Sequence, residues 1–282
     1  MLLDVIKDTV LDCLKILPFL FAAYLAIEII EHKAEEQTVA IVHRAGRWGP
    51  VLGGALGVIP QCGFSAATAN LYAGGIISRG TLLAVFLSTS DEMLPIFISH
   101  SVPVGFILRV LGYKLLCGVA AGLIIDTLEH RLHRERERTI HEMCEQEGCR
   151  CEDGVLKSAL RHTVKIFAFL LAVTFAVALA VEGLGEEKLG GFILNRPVLG
   201  ELLAGLIGLI PNCAASVVIT SLYLEGGMSA GAMLSGLLVG SGVGLLVLFR
   251  MNRPLRDNLL TLAVLYGFGV AFGLLSRLLP IF

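Results

Sequence analysis

Charge is what this sequence has least of. Only 16% of its 282 residues are Asp, Glu, Lys or Arg, against about one-quarter in a soluble domain. With 55% hydrophobic residues and a mean hydropathy of +0.79, a water-soluble globular domain is excluded. Several apolar stretches approach the ~20 residues that cross a bilayer, which makes the chain an integral membrane protein with lipid as its neighbour. It also lacks a Gly-x4-Gly-Lys-(Ser/Thr) loop, so any pumping must draw on an ion gradient or a partner rather than on its own nucleotide hydrolysis. Met1-Leu-Leu-Asp4 has no basic run before an apolar core, which predicts no cleaved signal peptide. The seven cysteines are an odd number and form no secreted disulfide framework. The net charge of −2 points to no particular partner, and no nucleic-acid partner is expected.

What the chain does have is one short stretch and its copy. Gly57-Val-Ile-Pro60-Gln61-Cys62-Gly63-Phe-Ser65 returns as Gly208-Leu-Ile-Pro211-Asn212-Cys213-Ala214-Ala-Ser216, at an offset of 211 − 60 = 151 residues. The same offset pairs Gly54 with Gly205, Leu71-Tyr72 with Leu222-Tyr223, Gly75 with Gly226, and Ser78 with Ser229. It continues through Gly80 and Gly231, Ser90 and Ser241, and Gly122 and Gly273. A register held that long is an internal duplication.

The duplication orders the chain into a first membrane repeat (1–125), a charged linker (126–161) and a second membrane repeat (162–282). Apolar segments are read at 9–30, 49–76, 81–99 and 103–125, then at 162–182, 198–225, 230–249 and 257–279. The segments at 49–76 and 198–225 are broken by Pro60 and Pro211. Each is either a kinked span or a hairpin of two half-helices that returns to its own face. Lys and Arg gather on the cytoplasmic side. The basic residues of 31–48, 126–161 and 250–256 share one side only if both broken segments return. Hairpin arms of 11–13 residues would then reach about to the midplane. The fold class read here is all-α and polytopic, with two inverted-topology repeats, each holding a Pro-broken helical hairpin. Both termini are expected outside.

The tips of these hairpins carry the candidate site. Each proline removes an N–H and frees nearby carbonyls; such backbone survives in a bilayer only when buried in protein or lining a wet cavity. Gln61 and Asn212 offer amide oxygens, Cys62 and Cys213 sulfur, and Ser65 and Ser216 hydroxyls. Thiolates suit soft metals and metalloids, and oxygen ligands suit harder ions. The plain alternatives are a kinked helix for each proline and a small core residue for each cysteine. Asp91 and Glu92 lie mid-segment, where a carboxylate costs at least ~2.5–3.5 kcal/mol; the alternative is a helix break that exposes them at an interface. The copy at that place has no acid, so acidic ligands come from the first half alone. On a regular helix the two acids point about 100° apart. Arg109 and Lys114, inside the next segment, either snorkel or pair with them. Glu201 is placed at the mouth of the second hairpin. In the linker, His130, His133, His141, Cys144, Cys149 and Cys151 are candidate metal ligands; the alternative is a solvated charged helix over 129–147.

The motif Gly-x-x-Gly-x-x-Pro-Gln-Cys-Gly-Phe-Ser, followed by Leu-Tyr-Ala-Gly-Gly and Leu87-Ser-Thr-Ser-Asp-Glu, resembles a family of ten-helix heavy-metal exporters. Its members are variously named arsenic efflux proteins or manganese transporters and are related to organoarsenical permeases. The likeness extends over nearly the whole chain. It implies export of a metal or metalloid ion, and ten helices if each hairpin arm is counted separately.

The reading is therefore a non-enzymatic secondary exporter of metal or metalloid ions in the cell's inner membrane. Its midplane site would be formed by Gln61, Cys62, Ser65, Asp91, Glu92, Asn212, Cys213 and Ser216. No permanent cofactor is expected, the ion being the substrate, and a homo-oligomer is left open. The rival reading is a thiol–disulfide electron carrier that cycles Cys62 and Cys213.

Overall fold

The structure is a computed structural model that describes residues 48–59, 62–90, 93–131 and 198–278, with scattered residues in 10–25 and 156–175. The side chains of Cys62, Cys213 and Ala214 fall outside that description, as do Pro60, Gln61, Asp91, Glu92 and the linker after Arg131. The described residues form helices and no strands. The first half holds α1 (Gly49–Gly57), α2 (Cys62–Ala73), α3 (Arg79–Ser88), α4 (Met93–Ser99) and α5 (Val104–Arg131). The second holds α6 (Leu199–Gly208), α7 (Cys213–Leu224), α8 (Ala230–Val239), α9 (Gly244–Met251) and α10 (Leu255–Ser276). Each second-half helix starts within one residue of 151 after its counterpart.

Duplicated residues build duplicated local structure. Gly75 and Gly226 have φ of 72° and 77°, a left-handed backbone that a Cβ would strain. Each closes the turn before a capped helix. The Ser78 hydroxyl accepts from the Thr81 N–H, and that of Ser229 from the Ala232 N–H. Such caps satisfy donors that a helix start leaves open.

Close glycine contacts fix the direction of each helix. A Cβ built on Gly49 would meet Thr81, one on Gly53 would meet Thr81 and Val85, and one on Gly57 would meet Val85 and Ser88. The contacts advance together, so α1 and α3 run parallel and start level. To join them, α2 must run back. Residues 49–76 are thus a re-entrant hairpin and not a kinked span. In the second half Gly205 meets Ser235 and Gly208 meets Gly236, while the Ser235 hydroxyl donates to the Glu201 carbonyl at 2.7 Å. The arms have 9, 12, 10 and 12 residues, roughly 14–18 Å at 1.5 Å per residue. Two of them are shorter than the sequence suggested.

The long helices run antiparallel to the helices they follow. Gly80 meets Gly122 across α3 and α5, and Gly231 meets Gly273 across α8 and α10. At the start of α3, Arg79 pairs with Glu129 of α5 and Asp257 of α10. Helices α3 and α10 therefore start at one end of the bundle, which we call the charged end, and α8 starts at the other. The halves run in opposite directions. Helix α3 touches α8 at the centre, and the return arms exchange: α2 packs on α9, and α7 on α4.

The apolar segments at 81–99 and 230–249 are each interrupted. Helix α3 stops at Ser88 and α8 at Val239, and helix is described again from Met93 and from Gly244. In the first half the Ser88 and Thr89 hydroxyls donate to the Ala84 and Val85 carbonyls, at 2.7 Å each. Such back-bonding competes with continuation of the helix. In the second half Gly240 and Gly242, the latter at φ 53°, supply the backbone freedom.

Placement follows from this break. Among the described residues four stretches are long and apolar enough to cross a membrane: Arg79–Ser99, Val104–Arg131, Ala230–Met251 and Leu255–Ser276. The two broken ones are 75% and 83% buried, and the two unbroken ones 39% and 33%. Unpaired backbone cannot face lipid, so the intact helices α5 and α10 take the outside of this multi-pass membrane protein.

The α3–α5 contact has no spare room. A Cβ on Gly122 would lie 2.5 Å from the Gly80 carbonyl oxygen, whereas one on Gly112 of the same helix meets nothing. Gly122→Leu should cost ~1–3 kcal/mol or more by overpacking, and Gly112→Leu almost nothing. Thermal unfolding of the purified protein in micelles would show the contrast; equal shifts would refute the packing.

Candidate functional site

Two hairpin tips and two helix breaks meet at the centre of the bundle. In the first half the Ser90 hydroxyl donates to the Val58 carbonyl at 2.6 Å. That bond ties the α3–α4 break to the end of α1, two residues before Pro60. In the second half a cavity of about 10 Å³ lies between the α6–α7 tip and the α8–α9 break. It has room for about one water-sized group. Asn212 and Ser216 supply its side-chain polar atoms, and Gly208, Gly236, Gly240 and Gly242 its backbone. The halves join here as well: a Cβ on Gly244 would sit 2.8 Å from both Ser65 and Phe86.

Three predicted residues are therefore brought to the centre. Ser65 is fully buried, Asn212 is buried, and Ser216 is half-buried at the cavity wall. Gln61, Asp91 and Glu92 lie outside the described residues. The neighbours of the acid pair, Ser90 and Met93, are 2% and 0% exposed. Cys62 and Cys213 open α2 and α7, with side chains outside the description. Among the linker candidates, His130 is exposed near the end of α5; His133, His141, Cys144, Cys149 and Cys151 lie outside. Among the described residues no three of His, Cys, Asp and Glu are grouped for a metal.

Lys114 does not snorkel. It is 1% exposed, and its ammonium donates to the Leu237 carbonyl, in the last turn of α8 before the break. The partial negative charge of a helix C-terminus stabilises a cation there. Its counterpart 151 residues on is Leu265, at 0% exposure. The pseudo-symmetry thus places a lysine on one side of the centre and a leucine on the other. The signal was in the sequence: Val110, Lys114, Cys117, Ala121 and Ile125 follow one helical face, and that face is buried. Arg109, by contrast, is exposed and donates to the Gly105 carbonyl of its own helix at 3.1 Å. Glu201 is fully buried and ion-paired with Arg277, near the mouth of the second hairpin as expected. Among the described residues its carboxylate oxygens make no hydrogen bond, so the contact with Arg277 is one of charge alone.

The breaks also differ in one bond. Ser90 is bonded to Val58, whereas the buried hydroxyl of its counterpart Ser241 has no hydrogen-bond partner among the described residues. Ser90→Ala should cost ~0.5–1.5 kcal/mol, because it removes a hydrogen bond to a partly buried carbonyl. Ser241→Ala should be neutral or slightly stabilising. Chemical unfolding in mixed micelles would compare the pair; an equal cost at both positions would contradict the asymmetry.

No curated protein and no solved structure matches this chain. A family model does, over residues 1–186 of the 282; its description reads "Putative, 10TM heavy-metal exporter". The match is shorter than the likeness of motifs and takes in the first repeat, the linker and the start of the second. The chain, with its two hairpins and two broken spans around a buried polar centre, belongs to this heavy-metal exporter family.

Proposed function

We propose that this protein is a secondary exporter of metal or metalloid ions, inserted as two inverted-topology repeats in the inner membrane. One observation carries the reading: both re-entrant hairpins and both broken spans converge on a single buried polar centre. Discontinuous helices meeting near the midplane are the usual seat of substrate and coupling ion in such transporters. The hairpin tips supply freed carbonyls, amides and hydroxyls but no net charge. A cation in low dielectric needs compensating charge, which in this reading comes from Asp91 and Glu92. Those acids belong to the first half alone, so the cation's place in this reading is on the first-half side. Gln61, Cys62 and Ser65 would complete that side; Asn212, Cys213 and Ser216 would face it as neutral ligands. The linker's His and Cys side chains would capture ions before transport.

The charged end is cytoplasmic in this proposal. Arg79, Arg131, Arg250, Arg253 and Arg256 all lie in segments at that end, as expected for basic residues. Cysteine labelling should find 250–256 accessible only from the cytoplasm; labelling from outside would overturn the orientation.

The acids decide between cargo classes. Asp91→Asn with Glu92→Gln keeps shape and removes charge. In vesicles loaded with Mn²⁺ the double variant should insert normally and lose transport. Wild-type flux from it would remove the cation reading and leave a neutral metalloid or a thiol–disulfide carrier.

A further inference from the structure

The interface between the halves is closed twice, at symmetry-related places and by unlike chemistry. At the charged end the Tyr72 hydroxyl donates to Asp257 at 3.0 Å, and Arg79 Nε donates to that hydroxyl at 3.2 Å. The same guanidinium pairs with Asp257 and Glu129, and Asn252 donates to Asp257 at 2.8 Å. The offset of 151 carries Tyr72 to Tyr223 and Phe106 to Asp257, and places Ala230 opposite Arg79. At the far end Tyr223 stacks on Phe106, with centroids 5.9 Å apart and planes 7° from parallel. Phe97 meets Phe106 edge-on at 5.7 Å. Both contacts join the last turn of one half's return arm to the first turn of the other half's long helix. The buried centre lies between them.

We propose that these contacts are the two gates of the transport path: a polar latch of Arg79, Tyr72 and Asp257 at the charged end, and an aromatic latch of Phe106 and Tyr223 at the other. This rests on the transport reading above, because a centre shut at both ends moves cargo only if each end opens in turn. The symmetry makes the contacts equivalent in position, and the side chains make them unequal in opening. Water entering the charged end solvates each partner of the ion network; the side chains there are already 13–21% exposed. Opening the far end instead uncovers aromatic faces, which water does not compensate. The resting population therefore depends on which latch is weakened, and a substitution acts on one side of the membrane only.

The test is sided access to the centre. Ser216→Cys serves as the reporter, in the full chain with the native cysteines replaced, reconstituted in vesicles of known orientation and probed with a membrane-impermeant maleimide. Asp257→Asn should speed labelling from the charged end about tenfold and leave the far end unchanged. Phe106→Ala should do the reverse. The same substitution at the equivalent tyrosines then separates the latches. Tyr72→Phe removes a hydrogen bond and should speed charged-end labelling; Tyr223→Phe keeps the stacked ring and should leave far-end labelling at its reference rate. If Asp257→Asn does not fold, Tyr72→Phe, which keeps the Arg79 pairs, decides alone. Labelling that is unchanged, or that rises equally from both sides, overturns the gates. The cargo reading fails separately: wild-type vesicles that carry no Mn²⁺ but show this sidedness would keep the gates and lose the ion.

Discussion

Everything in this structure is subordinate to one requirement: a peptide group inside a bilayer must find its hydrogen bonds within the protein. The chain breaks that pattern four times, at two prolines and two interhelical gaps. Each break leaves carbonyls or N–H groups without ladder partners. The molecule answers by nesting the breaks against one another. The Ser90 hydroxyl reaches Val58, Lys114 reaches Leu237, and intact helices form the outer wall. Close approach makes that nesting feasible. Glycines at the α1–α3, α3–α5, α6–α8 and α8–α10 crossings bring backbones together, as small residues do wherever helices associate without a hydrophobic driving force.

Duplication supplied the geometry, and divergence supplied the chemistry. The helices, the left-handed glycine turns and the serine caps are nearly the same in both halves. The charges are not. Lys114 stands where the other half has Leu265, Asp257 where it has Phe106, and Arg79 where it has Ala230. A symmetric scaffold with an asymmetric interior gives the two faces of a membrane different electrostatic character.

Much of this was legible in the sequence. The repeat offset located every described helix pair, and the basic residues chose the hairpin over the kinked span, because a returning segment alone brings them to one side. A helix break at Asp91 and Glu92 was weighed only as the alternative, and the one after Val239 was missed. Hydropathy averages over a window and does not see a short interruption of the helix. Ser88-Thr-Ser and Gly240-Ser-Gly, at equivalent places, were the available signal. Lys114 was read as snorkelling or pairing with Asp91 or Glu92, and its burial against α8 was not foreseen, because a single cation inside an apolar helix has no periodicity of its own; only its neighbours on the buried face betray it. The exchange of return arms between halves was beyond reach, since a sequence records which faces are apolar and not which faces meet.

That exchange has a consequence for how the protein is made. Helix α2 rests on α9, and α4 rests on α7. When the chain has been synthesised only as far as Arg131, neither α2 nor α4 has its partner, and both breaks of the first half lie open on one flank. They stay so until the ribosome has delivered residues up to Met251. During that interval the insertion machinery, or the lipid beside it, must shelter a half-built bundle with unpaired backbone. A ribosome pause in or after the charged linker prolongs that exposure. The halves therefore join late and in order, α7 reaching α4 before α9 reaches α2.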